Sequence, residues 1–339
     1  MPTATKEADI VEAVRGYKAN LLREELEEMQ ELAGMWAEMS EDLVKDIGTL
    51  SKDIEALRAA GDVPISKVHE LASHKRALAQ TKARAEEFAE KSAKRLEGLQ
   101  IKGGVKGLED GAAAIDMALS EADGDIFNSF LMKDLEAVES LTAGLSADGS
   151  PLKELLMRDF PEMYDDFGKT LQKGTLRGWS PRKIAAELER VVRLPLTRAL
   201  TIARTEMMRA YRDATRQTYE DSGVVTSYKR MATKSTTTCV ACIALDGRVY
   251  KVNQTMGDHP NGRCSMIPMV EGFTPEWQSA GDWFRTLDKD DQKKMLGPGK
   301  FNAWDDGVFE IEDLAKTLDD PKWGEQVSTR TLKDLTRAE

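Results

Sequence analysis

A mainly α-helical protein is predicted, with a long coiled-coil-like N-terminal arm, a small α+β module and a helical tail. Three observations in the 339-residue sequence carry that prediction. Apolar residues from Ile10 to Leu57 recur in alternating steps of three and four, a narrow stripe close to the 3.5 repeat of paired helices. Charged residues make up 32% of the chain and aromatics only 6%, a balance that suits long solvated helices better than one thick globule. All three cysteines and one of the three histidines fall between Cys239 and Cys264.

The first helix carries Ile10, Val14, Tyr17, Leu21, Leu22, Leu26, Met29, Leu32, Trp36, Met39, Leu43, Ile47, Leu50, Ile54 and Leu57 on its stripe. Unbroken, it would extend about 70 Å at 1.5 Å per residue. Gly16, Gly34 and Gly48 weaken it, and a break is expected near Gly48. Ala59–Pro64 reads as a turn and Ser66 as an N-cap. A second stripe, with Val68, Leu71, Leu78, Ala85, Phe88, Leu96 and Leu99, then runs to a break expected at Gly103-Gly104. Antiparallel pairing of the two would bury both stripes in an arm over residues 1–104. His69 and His74, five apart on one helix, are expected on different faces, as ordinary surface residues.

Residues 105–172 read as a connector of short helices punctuated by glycines, with solvated acids at Asp110, Glu121, Asp123, Asp125, Asp134, Glu136 and Glu139. Ser180-Pro181 places an N-cap before a first-turn proline and opens a helix through Val192. Leu194-Pro195 ends it, and the next helix runs to Gly223, suited to a left-handed stop. Lys173 to Lys234 carries fourteen Lys/Arg against six Asp/Glu, net +8 in a chain of net −11. Such asymmetry argues for an anionic partner surface. Arg190, Arg193, Arg198, Arg204, Arg209, Arg212 and Arg216 form basic faces for duplex DNA phosphates, or pair with Glu187, Glu189, Glu206, Asp213 and Glu220 along the helices. Both readings stand at this point.

Val224–Met231 and Arg248–Val252 read as short strands, so residues 173–275 form two helices against a few strands. The tail, 276–339, holds Trp277, Trp283, Trp304 and Trp323 between Gly- and Asp-rich breaks and reads as short helices anchored by their tryptophans. Three cysteines exclude a disulfide framework. No apolar run approaches a membrane span, and the N-terminus has no apolar signal segment, so a soluble protein is expected.

Cys239-x2-Cys242, sixteen residues, His259, four residues and Cys264 offer four ligands, the number a tetrahedral structural zinc needs. Packed thiols and a redox pair are the alternatives. Against the redox pair, no βαβ pattern surrounds Cys-x-x-Cys and no helix start is expected after it. Asp246-Gly247 reads as a hairpin turn, and Asp258-His259-Pro260 as turn chemistry.

Ala203-Arg204-Thr205-Glu206, Cys239-x2-Cys242, Leu245-Asp246-Gly247 with Tyr250, and His259-Pro260-Asn261-x-Arg263-Cys264 together resemble the Mu F-like head morphogenesis family of tailed phages. The resemblance covers about Gly174 to Val270, and Gly262 stands where the family has a further cysteine. It implies a non-catalytic minor head protein in the virion, inside the shell near the portal, after assembly in the host cytoplasm. Implied partners are the portal protein, other copies of the chain, and major capsid or scaffolding protein. It also implies a structural role for Arg204, Thr205, Glu206, Asp246, Gly247 and Tyr250. The alternatives are a zinc nuclease of the His-Asn-His type, weakened because His259 is the only histidine after His74, and a helical scaffold without metal.

Overall fold

The computed structural model describes residues 3–61, 64–119, 150–158, 160–320 and 324–336. Of the acidic residues expected in the connector, only Asp110 lies among them. The fold is mainly helical with a small sheet module. It divides into two compact units, each drawn from separated stretches: Met1–Glu25, Leu99–Asp148 and Arg204–Glu339 in the first, Leu26–Gly98 and Gly149–Ala203 in the second. These do not follow the sequential boundaries expected at residues 104 and 172, because three helices run through the division.

Helix α1 (Thr3–Ala59) is continuous, without the break expected at Gly48. Most of its stripe is buried, including Ile10, Val14, Leu21, Leu32, Trp36, Leu43, Ile47, Leu50 and Ile54. Leu26 departs from the stripe: it is 53% exposed, and Glu25 takes the inward position beside it. Helix α2 (Ile65–Glu70) ends at an extended Leu71, and α3 (Ala72–Ala118) follows. That bend brings the His69 and His74 rings to 4.8 Å, edge to face, with His74 buried. The expectation of two histidines on different faces of one helix is therefore corrected.

Helix α3 also passes straight through Gly103-Gly104, where a break was expected. The reason lies in α7 (Leu194–Asp221), whose residues from Arg204 onward pack on it within the first unit. A Cβ on Gly103 would sit 2.6 Å from the Met207 carbonyl oxygen, one on Gly107 would overlap that of Tyr211, and one on Gly111 would press on Thr215. The glycines recur every four residues and so do their partners, so the helices run parallel with their backbones in close approach. Thr215 Oγ1 donates across the seam to the Gly107 carbonyl at 3.0 Å. Contact across the seam outweighs the glycines' weak helix propensity.

In the second unit, α1 beyond Glu25 and α3 before Leu99 run antiparallel. Asp46 meets Arg76, Asp42 meets Arg84 and Glu28 meets Arg95, while Trp36 packs edge-on against Phe88 at 4.9 Å. Helices α4 (Leu152–Met157), α5 (Phe160–Leu176) and α6 (Pro181–Val192) complete the unit. Ser180 caps α6 by accepting from the Lys183 N–H, with Pro181 at the first helical position.

The first unit holds an antiparallel sheet in the order β2-β1-β3: β1 Val225–Met231, β2 Val249–Lys251, β3 Ser265–Val270. Strand β3 is not among the expected strands. It contains Pro268, which an edge strand tolerates because one side of its ladder is unpaired. Helix α8 (Val240–Ala244) starts at Cys239, so a helix does follow the Cys-x-x-Cys pair. Five residues are too few to show periodicity. Gly247, at φ 79°, turns the chain from α8 into β2, so Asp246-Gly247 is not a strand-to-strand hairpin.

The tail contains α9 (Ala280–Thr286), α10 (Lys289–Leu296), α11 (Pro298–Asp305), a 3-10 turn at Ile311–Leu314, and α12 (Leu332–Leu335). Between the last two lies a β-hairpin, β4 (Ala315–Asp320) and β5 (Gly324–Thr329), which corrects the all-helical tail. Its inward residue Val327 packs on Ala241 and Leu245 of α8, a non-local contact. Trp277, Trp283 and Trp304 are half-buried against the unit's main core, and Trp323 lies outside the described residues.

Substitution separates the two uses of glycine. Gly107→Ala should lower unfolding free energy by about 1–3 kcal/mol or more, as overpacking does. Gly16→Ala, with nothing within 4 Å of its added methyl, should raise it by up to about 1 kcal/mol. Chemical denaturation of the two variants reads the difference. Equal effects would contradict the close seam.

Candidate metal centre

Cys239 caps the N-terminus of α8 and Cys242 follows on it, buried. Opposite them, Asp258–Cys264 forms a tight turn with a 2.8 Å bond from the Gly262 N–H to the His259 carbonyl and Asn261 at φ 64°. His259 Nε2 lies 3.2 Å from Cys242 Sγ. Its Nδ1 faces the Pro260 carbonyl at 2.8 Å. A carbonyl only accepts, so Nδ1 carries the proton in the neutral ring and Nε2 keeps its lone pair toward the thiols. That is how a metal-binding imidazole is usually oriented. The donor atoms of Cys239, Cys242 and His259 lie within 4.8 Å of one another, and a second group, Cys242, Asp258 and Cys264, shares Cys242 with the first. The donor set suits a thiolate-binding ion such as zinc.

A guanidinium already sits in the second group. Arg230, buried on β1, donates from Nη2 to Asp258 Oδ1 at 2.9 Å and lies 3.2 Å from Cys264 Sγ and 3.5 Å from Cys242 Sγ. Its Nη1 donates to the Gly257 carbonyl at 2.7 Å. The other oxygen of Asp258 takes Arg212 of α7 at 3.2 Å and the Cys264 N–H at 3.4 Å. Burial alone would raise the Asp258 pKa, but Arg212 and Arg230 outweigh it and hold the carboxyl below its ordinary 3.8. Buried Lys18 of α1 also feels Cys264 and Asp258, although its own burial lowers its pKa.

The thiols divide accordingly. Hydrogen bonding from Cys242, with His259 adding to it against the burial penalty, brings Cys239 down to about 3. Cys264 falls to about 7 through Cys242, with Arg230 helping to offset its burial. Cys242, donating to both neighbours, is pushed up. His259 rises to about 9 through its bond to Cys239, with burial opposing and Asp258 assisting. The glycine at 262 fits the same picture: a Cβ there would overlap the Asp258 carboxyl. The carboxylate fills the space that a side chain at 262 would need.

Arg204 pairs with buried Glu25 of α1 and donates to Asn261 Oδ1 at 3.3 Å, while Thr205 Oγ1 accepts from the Asn261 N–H at 3.0 Å. Arg263 also reaches Glu25, at 3.2 Å. Glu206 is buried and binds Gln100 at 3.0 Å and Arg209 at 2.7 Å. Asp246 accepts from the backbone of Ala232 and Ala280 and from Trp277 Nε1, so it ties the tail to the module. Tyr250 stacks on Tyr228 with centroids 5.5 Å apart. Of the basic residues, Arg209 pairs with Glu206 and Asp213, Arg212 with Asp258, Arg216 with Glu220 and Arg190 with Glu187. Arg198 donates to the Leu155 carbonyl, and Arg193 is exposed.

Sequence reasoning missed Lys18, Glu25, Arg230 and the buried role of Asp258. Lys18 and Glu25 were visible as charges on an apolar helix face, in the series Val14, Lys18, Leu21, Glu25. Arg230 shares the inward face of an alternating strand with Tyr228.

Asp258→Ala would leave two buried guanidiniums without their shared counter-charge, and should lower unfolding free energy by about 3–5 kcal/mol. The folded pKa of Asp258 lies below its unfolded value, so its contribution is present above 3.8 and is lost as pH falls through the lower folded value. Denaturation midpoints across pH 2–7 should therefore fall on acidification in the parent and vary less in the variant. A parent-like stability for Asp258→Ala at pH 7 would refute this role.

Residues 165–267 match the family model described as Phage Mu protein F like protein. The matched stretch takes in α6, α7, β1, α8 and β2, and every residue of both donor groups. No curated protein and no solved structure matches the chain. Among the described residues, no helix is long and apolar enough to cross a membrane.

Proposed function

From the membership of residues 165–267 in the phage Mu protein F like family, we propose that the chain is a minor structural protein of a tailed-phage head. The family match is the observation that carries this reading. The geometry supports a structural rather than a catalytic role, because the module's buried ionic groups are spent on joining segments. Asp258 holds α7, β1 and its own turn together, and Asp246 holds the tail. In this reading the Cys/His centre binds one structural zinc through Cys239, Cys242 and His259, with Cys264 as the fourth ligand.

Docking to a portal or to other copies of the chain falls to the N-terminal helices. Leu26 and Val44 are 53% and 43% exposed and lie eighteen residues apart on α1, five full turns at 3.6 residues per turn, so they share one face. The reading stops short of packaged DNA, because Arg209, Arg212 and Arg216 are committed to carboxylates.

Leu26→Asp/Val44→Asp changes only exposed positions. It should leave the circular dichroism spectrum and melting temperature unchanged while reducing the amount of this chain in purified heads at least tenfold. Parent-level incorporation would sink the docking face, and absence of the parent chain from heads would sink the head assignment.

Protein purified without chelator should contain close to one zinc per chain, which Cys242→Ser should release with a lower melting temperature and unchanged helicity. The same preparation should leave duplex DNA intact with Mg²⁺, Mn²⁺ or Zn²⁺. A zinc content near zero would remove the metal reading, and cleavage would remove the non-catalytic one.

A further inference from the structure

The two donor groups share Cys242, yet they differ in what occupies them. In the Cys242–Asp258–Cys264 group, Arg230 Nη2 is within 2.9 to 3.5 Å of all three donor atoms. A guanidinium does not deprotonate in a protein. It is buried and held from its other nitrogen by the Gly257 carbonyl, with Arg212 on the far oxygen of Asp258. A divalent ion placed among those three donors would press against a fixed positive charge in a poorly screened interior. Among the contacts of the described residues, Arg230 meets the Cys239–Cys242–His259 group at Cys242 alone, and His259 directs Nε2 into that group.

This first group also faces solvent. Cys239 and His259 are half-buried, whereas Cys242 and Cys264 are buried. All four line a cleft of about 380 Å³ whose other walls include Thr237, Thr238, Asn261, Arg204 and Arg263. Arg204 and Arg263 are engaged by Glu25, and Thr238 donates to the Thr233 carbonyl, so what the cleft gives the first group is access to solvent.

We infer that Arg230 stands in for a metal in the Cys242–Asp258–Cys264 group, and that a bound metal is held by Cys239, Cys242 and His259 alone, with a fourth position open to the cleft for water or a small anion. Cys264, by this inference, is a thiolate paired with Arg230 and not a metal ligand. The inference rests on the metal reading above and deepens it, from a closed four-ligand site to a three-ligand site with an exchangeable position. Structural zinc sites are closed, whereas three protein ligands with an open fourth position is the arrangement that catalytic sites use; at that position ligand exchange is inferred here, and no reaction.

Cobalt substitution of the full-length chain tests it. Thiolate-to-Co²⁺ charge-transfer intensity grows with the number of bound thiolates, so the parent protein should show two-thiolate intensity at one Co²⁺ per chain. Cys264→Ser should keep that intensity, while Cys239→Ser should lose about half of it or the metal altogether. Added sodium azide should shift the visible Co²⁺ bands of the parent. Three-thiolate intensity in the parent would overturn the inference even if Cys264→Ser failed to fold. A loss of about one third in a folded Cys264→Ser would do the same, as would visible bands that ignore azide. A chain that takes up no Co²⁺ would overturn the metal reading itself along with this one, so the two failures are told apart.

Discussion

One carboxylate, that of Asp258, sets the terms for the first unit. It is buried, and it accepts from α7 through Arg212, from β1 through Arg230 and from its own turn through the His259 and Cys264 N–H groups. Bringing three charges out of water is costly, and their attraction repays that cost only when every donor is well placed. The arrangement ties the relative placement of helix, strand and turn to this one carboxylate. It also dictates local sequence, since a side chain at 262 would claim the space the carboxylate fills.

For Arg212 to reach Asp258, α7 has to lie at the right depth, and the glycine seam with α3 provides this. Gly103, Gly107 and Gly111 let the α7 backbone approach at Met207, Tyr211 and Thr215. On a 3.6-residue period, Arg204, Thr205, Met208 and Arg212 then fall together on another face. Arg204 and Thr205 meet Asn261 there, and Arg212 meets Asp258. A Glu25 buried on α1 accepts both Arg204 and Arg263 on one oxygen. The short motif Arg204-Thr205-Glu206 is thus a set of connections: Arg204 to Glu25 and Asn261, Thr205 to Asn261, and Glu206 to Gln100 and, within α7, to Arg209.

What the sequence made legible was whatever depends on neighbours along the chain. Ser180-Pro181 marked the start of α6, Gly223 marked the end of α7, and β1 was readable from its β-branched and aromatic run. The clustering of three cysteines and His259 located the centre, though not its division into two groups. Features fixed by distant partners were illegible. Gly103-Gly104 reads as a break until α7 is placed against it. Pro268 argues against a strand until β3 is known to be an edge. Among the described residues the β4–β5 hairpin offers one buried residue, Val327, whose partners Ala241 and Leu245 lie some eighty residues earlier. Leu26, expected on the buried stripe, is exposed, and the neighbouring Glu25 is buried instead, where it meets Arg204 and Arg263.

The same non-local packing bears on how much of the order in this region depends on a metal. Read alone, residues 239–264 offer little apolar area, and ordering such loops costs roughly 1–2 kcal/mol per residue. In the folded chain, however, Val240, Ile243 and Met256 join a core that includes Ile10 and Val14 of α1, Ile115 of α3, and Phe284 and Ile311 of the tail. Each fully buried aliphatic or aromatic side chain of that kind contributes about 1.5–3 kcal/mol. Arg230 already neutralises part of the anionic charge that would otherwise have to be met by a cation from outside. The region is therefore held on two sides, by a shared core and by an internal cation. A metal on Cys239, Cys242 and His259 would add to an order that the surrounding chain has largely established.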